Sequence, residues 1–245
     1  MLTVDFDRFP VGPGDRVLDM GCGGGRHAFA LYRRGAEVVA LDRSESELRE
    51  VEVMFRAMDA GGEAPPAATA TAVRADAYAL PFGDASFDRV VAAEVLEHLP
   101  GDTDAMAELF RVLKPGGLIA VTVPRWGPEK VCWALSDAYH ANEGGHVRIY
   151  QGSELTGRLA HTGLLPLGHH HVHGLHAPYW WLKCAVGVRN DSHPLVRAYH
   201  RLLVWDMMKA PLITRVAERA LNPLIGKSLV VYLRKPEPEP ARAAA

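Results

Sequence analysis

The sequence is organised around the stretch Val17-Leu18-Asp19-Met20-Gly21-Cys22-Gly23-Gly24-Gly25. The apolar run from Arg16 to Met20 predicts a buried strand, the glycines predict a tight turn, and Arg26 to Arg34 predicts a helix. A strand, a glycine turn and a helix in this order begin a nucleotide-binding βαβ unit. Asp19 stands at the strand end, where its carboxylate would repel a pyrophosphate. The turn therefore favours a ligand with positive charge, such as an amino acid ammonium group.

The alternation of strand and helix continues along the chain. The further strands are predicted at Glu37–Leu41, Thr69–Ala75, Phe87–Ala93, Leu118–Val123, Leu164–His173 and Ser228–Leu233. The further helices are predicted at Ser44–Ala60, Asp102–Leu113, Pro128–His140 and Ser153–His161, the last with Ser153 as its N-cap. This order predicts an α/β fold: a Rossmann-like, mostly parallel seven-stranded sheet with helices on both faces.

Asp42 ends the second predicted strand, roughly 20 residues beyond the glycine turn, where an acidic residue commonly binds ribose hydroxyls. The alternative is that it caps the helix that begins at Ser44. The spacing favours the ribose role.

Three later motifs follow in order. They are Leu80-Pro81-Phe82-Gly83-Asp84-Ala85-Ser86-Phe87-Asp88, then Glu94-Val95-Leu96-Glu97-His98-Leu99, then Leu113-Lys114-Pro115-Gly116-Gly117. With the glycine turn, they resemble the class I S-adenosylmethionine-dependent methyltransferases, especially those of ubiquinone and menaquinone biosynthesis. The resemblance implies S-adenosyl-L-methionine as cofactor, with the glycines along its methionine part and Asp76 and Ala77 at its adenine. The implied cofactor-binding residues are Asp19, Gly21, Cys22, Gly23, Arg26, Asp42, Arg43, Asp76, Ala77 and Glu94.

The candidate catalytic residues follow the fourth strand. His146 and Tyr150 are candidates for a general base or a substrate-orienting group, with Glu94 and His98 beside them. Ubiquinone O-methyltransferases and small-RNA 3′-end methyltransferases show a similar E-x-x-E-H with a later histidine. By that resemblance Glu94, Glu97, His98 and His146 would bind a metal. The motif is also common in relatives without metal, so we expect no metal requirement.

Aromatic and histidine side chains crowd the second half of the chain. The predicted substrate-binding residues are Trp126, Trp133, Tyr139, His173, His176, Tyr179 and Trp180. An ordinary apolar core is the alternative for the aromatic ones. A dense run of histidines has two interpretations, a ligand or metal site and ordinary packing: His169, His170, His171, His173 and His176. Strand alternation places His169, His171 and His173 on one face.

Residues 176–227 form an unusual block between the last two strands. Helices are predicted at Pro178–Val188, Pro194–Met208 and Pro211–Leu221, and the block carries eight Lys/Arg against three Asp/Glu. We expect a helical cap over the substrate mouth, inserted in a methyltransferase domain of residues 1–235. The apolar faces of these helices must be buried, and a second copy of the chain or a membrane surface are alternative partners for them. The proline-rich tail, residues 236–245, is expected to be disordered.

The amino-acid composition limits the classes of function that the chain can have. A net charge of −2 and the absence of aromatic–basic repeats argue against a nucleic-acid partner. Scattered Cys22, Cys132 and Cys184 indicate reduced thiols in the cytoplasm, and we see no signal peptide or transmembrane span. The sequence predicts a methyltransferase for a small, hydrophobic molecule that is aromatic, prenylated or lipid-like. The rivals are a metal-assisted O-methyltransferase for a diol, a catechol or an RNA 3′ end, and a non-enzymatic cofactor-binding scaffold with a dimerising insertion.

Overall fold

The structure is a computed structural model, and it describes residues 2–140 and 145–238. Seven strands form one sheet: β1 (Arg16–Met20), β2 (Glu37–Asp42), β3 (Thr69–Arg74), β4 (Phe87–Ala93), β5 (Leu113–Pro124), β6 (Leu165–Val172) and β7 (Ser228–Arg234). Their order is β3-β2-β1-β4-β5-β7-β6, and β7 alone runs antiparallel to its neighbours. The predicted α/β class with a mostly parallel seven-stranded sheet is confirmed.

Nine α-helices are present among the described residues. They are α1 (Arg26–Tyr32), α2 (Glu45–Ala60), α3 (Asp102–Val112), α4 (Trp126–Leu135), α5 (Asp137–His140), α6 (Gly152–His161), α7 (His176–Val186), α8 (Pro194–Lys209) and α9 (Leu212–Ile225). A 3₁₀ helix spans Leu96–His98. Apolar side chains pack on both faces of the sheet, so the strands are buried on two sides, as a parallel sheet requires.

The first βαβ unit forms where the sequence predicts it. Val17 and Leu18 are fully buried in β1, which pairs in parallel with both β2 and β4. The strand order reverses at β1, and open α/β sheets bind ligands at the carboxyl ends of the strands beside such a reversal. In α2, Ser44 is the N-cap, and its hydroxyl accepts a hydrogen bond from the amide of Glu47.

Several boundaries differ from the sequence predictions, and three of the differences have a clear structural basis. Strand β5 begins at Leu113 because the backbone at Gly116 and Gly117 pairs with Lys235, so the Pro-Gly-Gly segment continues the strand. The helix predicted over Pro128–His140 is divided at Ser136, whose backbone is extended. Helix α6 begins at Gly152 and has no side-chain cap, so Ser153 is not its N-cap.

The inserted block forms the three helices α7, α8 and α9. Val172, the last residue of β6, and Pro124, the last of β5, both pair with Ser228, the first residue of β7. The block therefore leaves and rejoins the sheet at the carboxyl edge. Most of the tail predicted to be disordered lies outside the described residues.

The glycine turn gives the first testable prediction. Gly21 has φ +69°, and an added Cβ would lie 2.4 Å from Val95 Cγ2. We expect Gly21→Ala to lower the free energy of unfolding by about 2–4 kcal/mol, because left-handed strain and overpacking add. Gly24 is the matched control, since its φ is not positive and its nearest contact would be Glu47 Oε2 at 3.7 Å. Urea unfolding measures both variants, and equal midpoints would contradict the prediction.

Candidate active site

A cavity of about 1080 Å³ opens at the carboxyl ends of β1 to β4. It brings together seven of the predicted cofactor-binding residues: Gly21, Gly23, Asp42, Arg43, Asp76, Ala77 and Glu94. His98, a predicted catalytic residue, also lines it. Side chains that the sequence analysis did not single out complete the lining: Leu41, Ser44, Glu47, Arg74, Tyr78, Val95 and Leu99. The predicted residues thus meet at one sheet edge although they are distributed over 74 positions of the chain.

Asp19 lies buried below the glycine turn, with only 1% of its surface exposed. Its Oδ2 atom has no hydrogen-bond partner among the described residues. Burial raises the pKa of Asp19 to about 7, although a hydrogen bond from the backbone of Ala28 and the charge of Arg26 oppose this. An unpartnered buried carboxylate oxygen is costly, and a cationic ligand group at this position would compensate it.

Asp42 fixes the glycine turn in addition to lining the cavity. Its Oδ2 accepts a hydrogen bond from the Gly23 amide at 2.9 Å, and its Oδ1 accepts one from the Ser44 amide at 2.8 Å. A carboxylate has about four acceptor positions, so two remain for a ligand. Asp42 is not the N-cap of α2, because Ser44 has that position, but it binds the Ser44 amide and lines the cavity, so the ribose role stays a prediction.

Glu94 occupies a strained position at the end of β4. Its φ of +58° is unusual for a residue with a side chain, and such strain concentrates at functional sites. The Glu94 amide donates to the carbonyl of Thr122, and the Thr122 hydroxyl donates to Glu94 Oε1 at 2.8 Å. These two bonds to β5 hold the carboxylate at the cavity wall.

Glu97 follows Glu94 and is buried at the same edge. It is 1% exposed, and neither of its carboxylate oxygens has a hydrogen-bond partner among the described residues. Burial, reinforced by the negative charge of Glu94, raises the pKa of Glu97 well above its usual range. One ligand atom each from Glu97, His98 and His146 lies within 4.8 Å of the others, which is the type of grouping that holds a metal ion.

His146 is held by a buried carboxylate that the sequence analysis did not single out. Glu129 of α4 is 1% exposed, and its Oε1 lies 2.7 Å from His146 Nδ1. Burial alone would raise the pKa of Glu129, but the hydrogen bond to His146 and the charge of Lys227 hold it below its usual value. A carboxylate bound to one imidazole nitrogen fixes the ring and leaves the other nitrogen for a substrate.

Aromatic side chains surround this pair. Trp133 Nε1 and the Tyr139 hydroxyl both donate to Glu129, at 3.3 and 3.4 Å. The Tyr139 ring lies 5.8 Å from that of Trp180, and the Lys227 ammonium lies over the Trp180 ring. Three of the predicted substrate-binding residues, Trp133, Tyr139 and Trp180, are therefore grouped with the predicted catalytic His146.

Other predicted substrate-binding residues lie apart from this group. Trp126 lines a second cavity of about 560 Å³ together with Val131, Trp181 and Leu224. Tyr179 lies in a separate groove between α7 and α8. His173 and His176 have rings 5.5 Å apart, and neither residue is among those that line these cavities.

Two histidines and two predicted cofactor residues have particular surroundings. Burial lowers the pKa of His173 to about 3 and that of His176 to about 4, so both are neutral near pH 7.

Cys22 is buried, and burial raises the pKa of its thiol, so it contributes backbone and packing to the turn. Arg26 is exposed at the start of α1 and is not part of the cavity wall.

Tyr150 belongs to the core. It is 1% exposed, its hydroxyl donates to the buried carboxylate of Asp102, and Arg148 donates to that hydroxyl at 3.3 Å. Burial, with the hydrogen bond to Asp102, raises the pKa of Tyr150 far above its usual value. We assign Tyr150 a structural role in place of the predicted catalytic one, because its proton is held by an internal partner.

Sequence reasoning missed Glu129 and Lys227 for a physical reason. A glutamate inside a predicted helix is typical of a solvated face, and the residue that makes it a site is His146, which lies 17 positions away. The position of Glu47 at the start of α2 could have been predicted, because Ser44 and Glu47 have the Ser-x-x-Glu spacing of a capping box.

Comparison with known proteins relates part of the chain to a family of domains. Residues 18–121 match the family of methyltransferase domains. The ubiquinone biosynthesis O-methyltransferase of Hahella chejuensis is 34% identical over 138 residues, which cover 56% of this chain and 55% of that protein. The cycloartenol-C-24-methyltransferase 1 of Oryza sativa subsp. japonica is 33% identical over 146 residues, which cover 59% of this chain and 38% of that protein. The chain thus spans about half or less of the length of these two relatives.

A solved structure shows the same fold over nearly the whole chain. A SAM-dependent methyltransferase of Methanosarcina mazei superposes with a TM-score of 0.63 and 16% identity, over 97% of this chain and 100% of that one. Residues 18–121 thus match a methyltransferase domain, and the sheet around them has the fold of a SAM-dependent methyltransferase, in agreement with the resemblance seen in the sequence. Another solved structure with this fold, a geranyl diphosphate methyltransferase with a TM-score of 0.60 and 16% identity, is in complex with SAM.

The assignment of Tyr150 gives a testable prediction. Tyr150→Phe removes one hydrogen bond to Asp102, which keeps Arg158 Nη1 at 3.0 Å. We expect the free energy of unfolding to fall by about 1 kcal/mol, measured by urea unfolding. Methyl transfer at saturating substrate should stay within about twofold of the unmodified chain, since no reacting group is lost. A stable variant whose turnover falls tenfold or more would restore the catalytic role.

Proposed function

We propose that this chain transfers a methyl group from S-adenosylmethionine to a small, hydrophobic acceptor that is aromatic, prenylated or lipid-like. One observation carries the proposal: His98 lines the cavity with the glycine turn, and its ring lies 4.9 Å from that of His146, which Glu129 holds. Groups suited to an amino acid cofactor thus lie beside a group suited to accept a proton.

The cofactor fits the residues that form the cavity. Asp19 offers a buried acceptor for an ammonium group, and the glycine turn allows close approach of a ligand to the backbone. Asp42 keeps two acceptor positions for ribose hydroxyls, and Asp76 and Ala77 line the far end of the cavity. When bound, the cofactor supplies an electrophilic methyl group on a sulfonium centre. The residues of the chain bind and orient it.

The acceptor side is formed by His146 and its neighbours. With Nδ1 bound to Glu129, the Nε2 atom of His146 is the position at which a proton from the acceptor would be taken up. Trp133, Tyr139 and Trp180 give this side an apolar wall that limits water around the reacting groups. Such a wall favours an acceptor with an aromatic or aliphatic body.

The names of the relatives support a hydrophobic acceptor. One relative is a ubiquinone biosynthesis O-methyltransferase and another a cycloartenol C-24-methyltransferase. These substrates belong to those proteins; for this chain they support the class of molecule without choosing among its members or among oxygen, nitrogen and carbon as the accepting atom.

A metal-assisted O-methyltransferase is the second candidate, and Glu97 favours it. A buried carboxylate with two unpartnered oxygens, next to His98 at 3.9 Å and grouped with His146, fits a divalent cation. Glu97, His98 and His146 would hold the ion, with Glu94 nearby, and a bound cation would orient a diol or catechol and lower the pKa of its hydroxyl. The alternative is that Glu97 remains protonated and neutral.

The pKa of Asp19 leads to a prediction for cofactor binding. A raised pKa near 7 means that the carboxyl gains its charge only as the pH rises through 7, and an ammonium ligand binds the charged form. We expect the apparent Kd of S-adenosylhomocysteine to be roughly 50-fold weaker at pH 5 than at pH 7, measured by calorimetry. Asp19→Asn is the control, because it should bind weakly with no such pH dependence. An unmodified chain with equal Kd at both pH values would contradict the assignment.

Transfer of a labelled methyl group tests the activity. We expect label from S-adenosylmethionine to enter a hydrophobic fraction of a cell extract, and His146→Asn to lower the rate about 100-fold while cofactor affinity stays unchanged. His161→Asn is the matched control, since His161 is exposed on α6 and bonds only its own helix. Binding of cofactor without any label transfer would favour the scaffold.

The same assay after EDTA treatment decides between the candidates. Turnover that survives EDTA supports the metal-independent reaction expected from the sequence. Loss of turnover restored by Mg²⁺, together with a metal-dependent rise in Tm that Glu97→Gln abolishes, supports the metal-assisted one.

A further inference from the structure

Helices α8 and α9 present large apolar side chains to solvent where they meet. Met208, Leu212 and Ile213 are 77%, 80% and 72% exposed, and only Ala210 and Pro211 separate the two helices. The exposed set is Val204, Trp205, Met207, Met208, Leu212, Ile213, Val216 and Leu224, which we call the elbow patch. Single exposed apolar side chains are ordinary, whereas a cluster of them indicates an interaction surface, and here eight lie on two consecutive helices.

The elbow patch cannot turn inward, because the opposite side of α9 is fixed to the protein. The Glu218 carboxylate accepts hydrogen bonds from the amides of Gly174 and Leu175, both at 3.1 Å. Asn222 Oδ1 accepts a second bond from the Gly174 amide at 2.8 Å, and Thr214 is 6% exposed. These contacts set the rotation of the helix, so the face with Leu212 and Val216 stays outward.

Positive charge accompanies the patch. Five exposed cations lie along the same two helices: Arg197, Arg201, Lys209, Arg215 and Arg219. None of the five has an ion-pair partner within the part of the chain that the structure describes. Arg197, Arg201 and Trp205 follow one another at four-residue spacing, so they share one side of α8.

The acidic residues of the inserted block do not offset these charges. Glu218 points inward to the backbone of residues 174 and 175, and Asp191 pairs with Lys183. Asp206 is half-buried. The elbow patch is therefore an apolar surface with a positively charged margin.

We propose that the elbow patch docks on a membrane surface that contains anionic lipid. A bilayer supplies an apolar phase for Leu212 and Ile213 just below a negatively charged headgroup layer, which matches both properties of the patch. A symmetric dimer through the same patch would place each group of five cations against its own copy. A nucleic acid would match the charge but would leave the apolar side chains uncovered.

The patch is continuous with the second cavity. Leu224 belongs to the elbow patch and also lines the 560 Å³ cavity with Trp126 and Val131. Trp126 and Val131 are themselves 43% and 39% exposed, so the apolar surface extends to the cavity mouth. Docking through the elbow patch would therefore place the opening of this cavity next to the bilayer. No helix among the described residues is long and apolar enough to span a membrane, so the contact proposed is peripheral.

Sedimentation with lipid vesicles tests the proposal. We expect the purified full chain to sediment with vesicles of phosphatidylcholine that contain about 30% phosphatidylglycerol, and to be released by about 0.5 M NaCl. Vesicles of phosphatidylcholine alone should bind at least tenfold more weakly. Arg215→Gln and Arg219→Gln should each weaken binding about fivefold. The double variant Leu212→Ser with Ile213→Ser should weaken it on the order of 10- to 100-fold.

A matched control is available on another helix. Val53 and Met54 of α2 are 61% and 46% exposed, and Val53→Ser with Met54→Ser should leave vesicle binding unchanged. All these positions are exposed, so circular dichroism should show native folding for every variant. No binding to the anionic vesicles overturns the proposal, as does equal binding by the Leu212 and Ile213 variant. A dimer in analytical ultracentrifugation that this variant dissociates would overturn it in favour of a second copy.

Discussion

The buried carboxylate of Asp19 is the constraint on which the rest of this structure depends. Burial at the end of β1 raises the pKa of the group, and its Oδ2 atom has no hydrogen-bond partner among the described residues, so a positively charged group at this position would be stabilising. The glycine turn lies directly above this carboxylate, and the turn itself is tied to β2 through Asp42 and the carbonyl of Leu41. Strand pairing, loop geometry and ligand preference are thus set by one short segment.

The same edge of the sheet carries three further acidic side chains. Glu94 has a strained backbone, Glu97 is buried without a hydrogen-bond partner among the described residues, and Glu129 is paired with His146 and Lys227. Three carboxyl groups so close together are stable only if protons, cations or hydrogen bonds compensate them. Among the described residues, Glu129 has hydrogen-bonding partners and a lysine beside it, whereas Glu97 has only the imidazole of His98 at 3.9 Å. This difference is the physical reason why a cation or a retained proton has to be considered at Glu97.

Elements that neighbouring residues specify could be predicted from the sequence, whereas elements that depend on residues far away in the chain could not. Strand β1, the glycine turn and α1 were predictable because local apolar runs and glycines specify them. The start of β5 was missed because it depends on pairing with Lys235, more than a hundred residues later. Glu129 was missed for the same reason, since only the fold brings His146 and Lys227 to it. Tyr150 is the opposite case: its residue type suggested chemistry, and only the fold reveals the buried bond to Asp102 that favours a structural role.

The inserted block contacts the aromatic group around Glu129 at one end and carries the elbow patch at the other. Its first helix, α7, faces α4, where the Trp181 indole donates to the carbonyl of Pro128 and Trp180 lies against Tyr139. Its last helix, α9, is held to Gly174 on one side and carries the exposed apolar stripe on the other. Because both helices leave from and return to the carboxyl edge, an apolar acceptor that enters beside α9 would meet the end of the sheet where the cofactor residues lie. Under the two proposals made above, this one insertion would both contribute to the acceptor side of the site and carry the surface that docks on the bilayer.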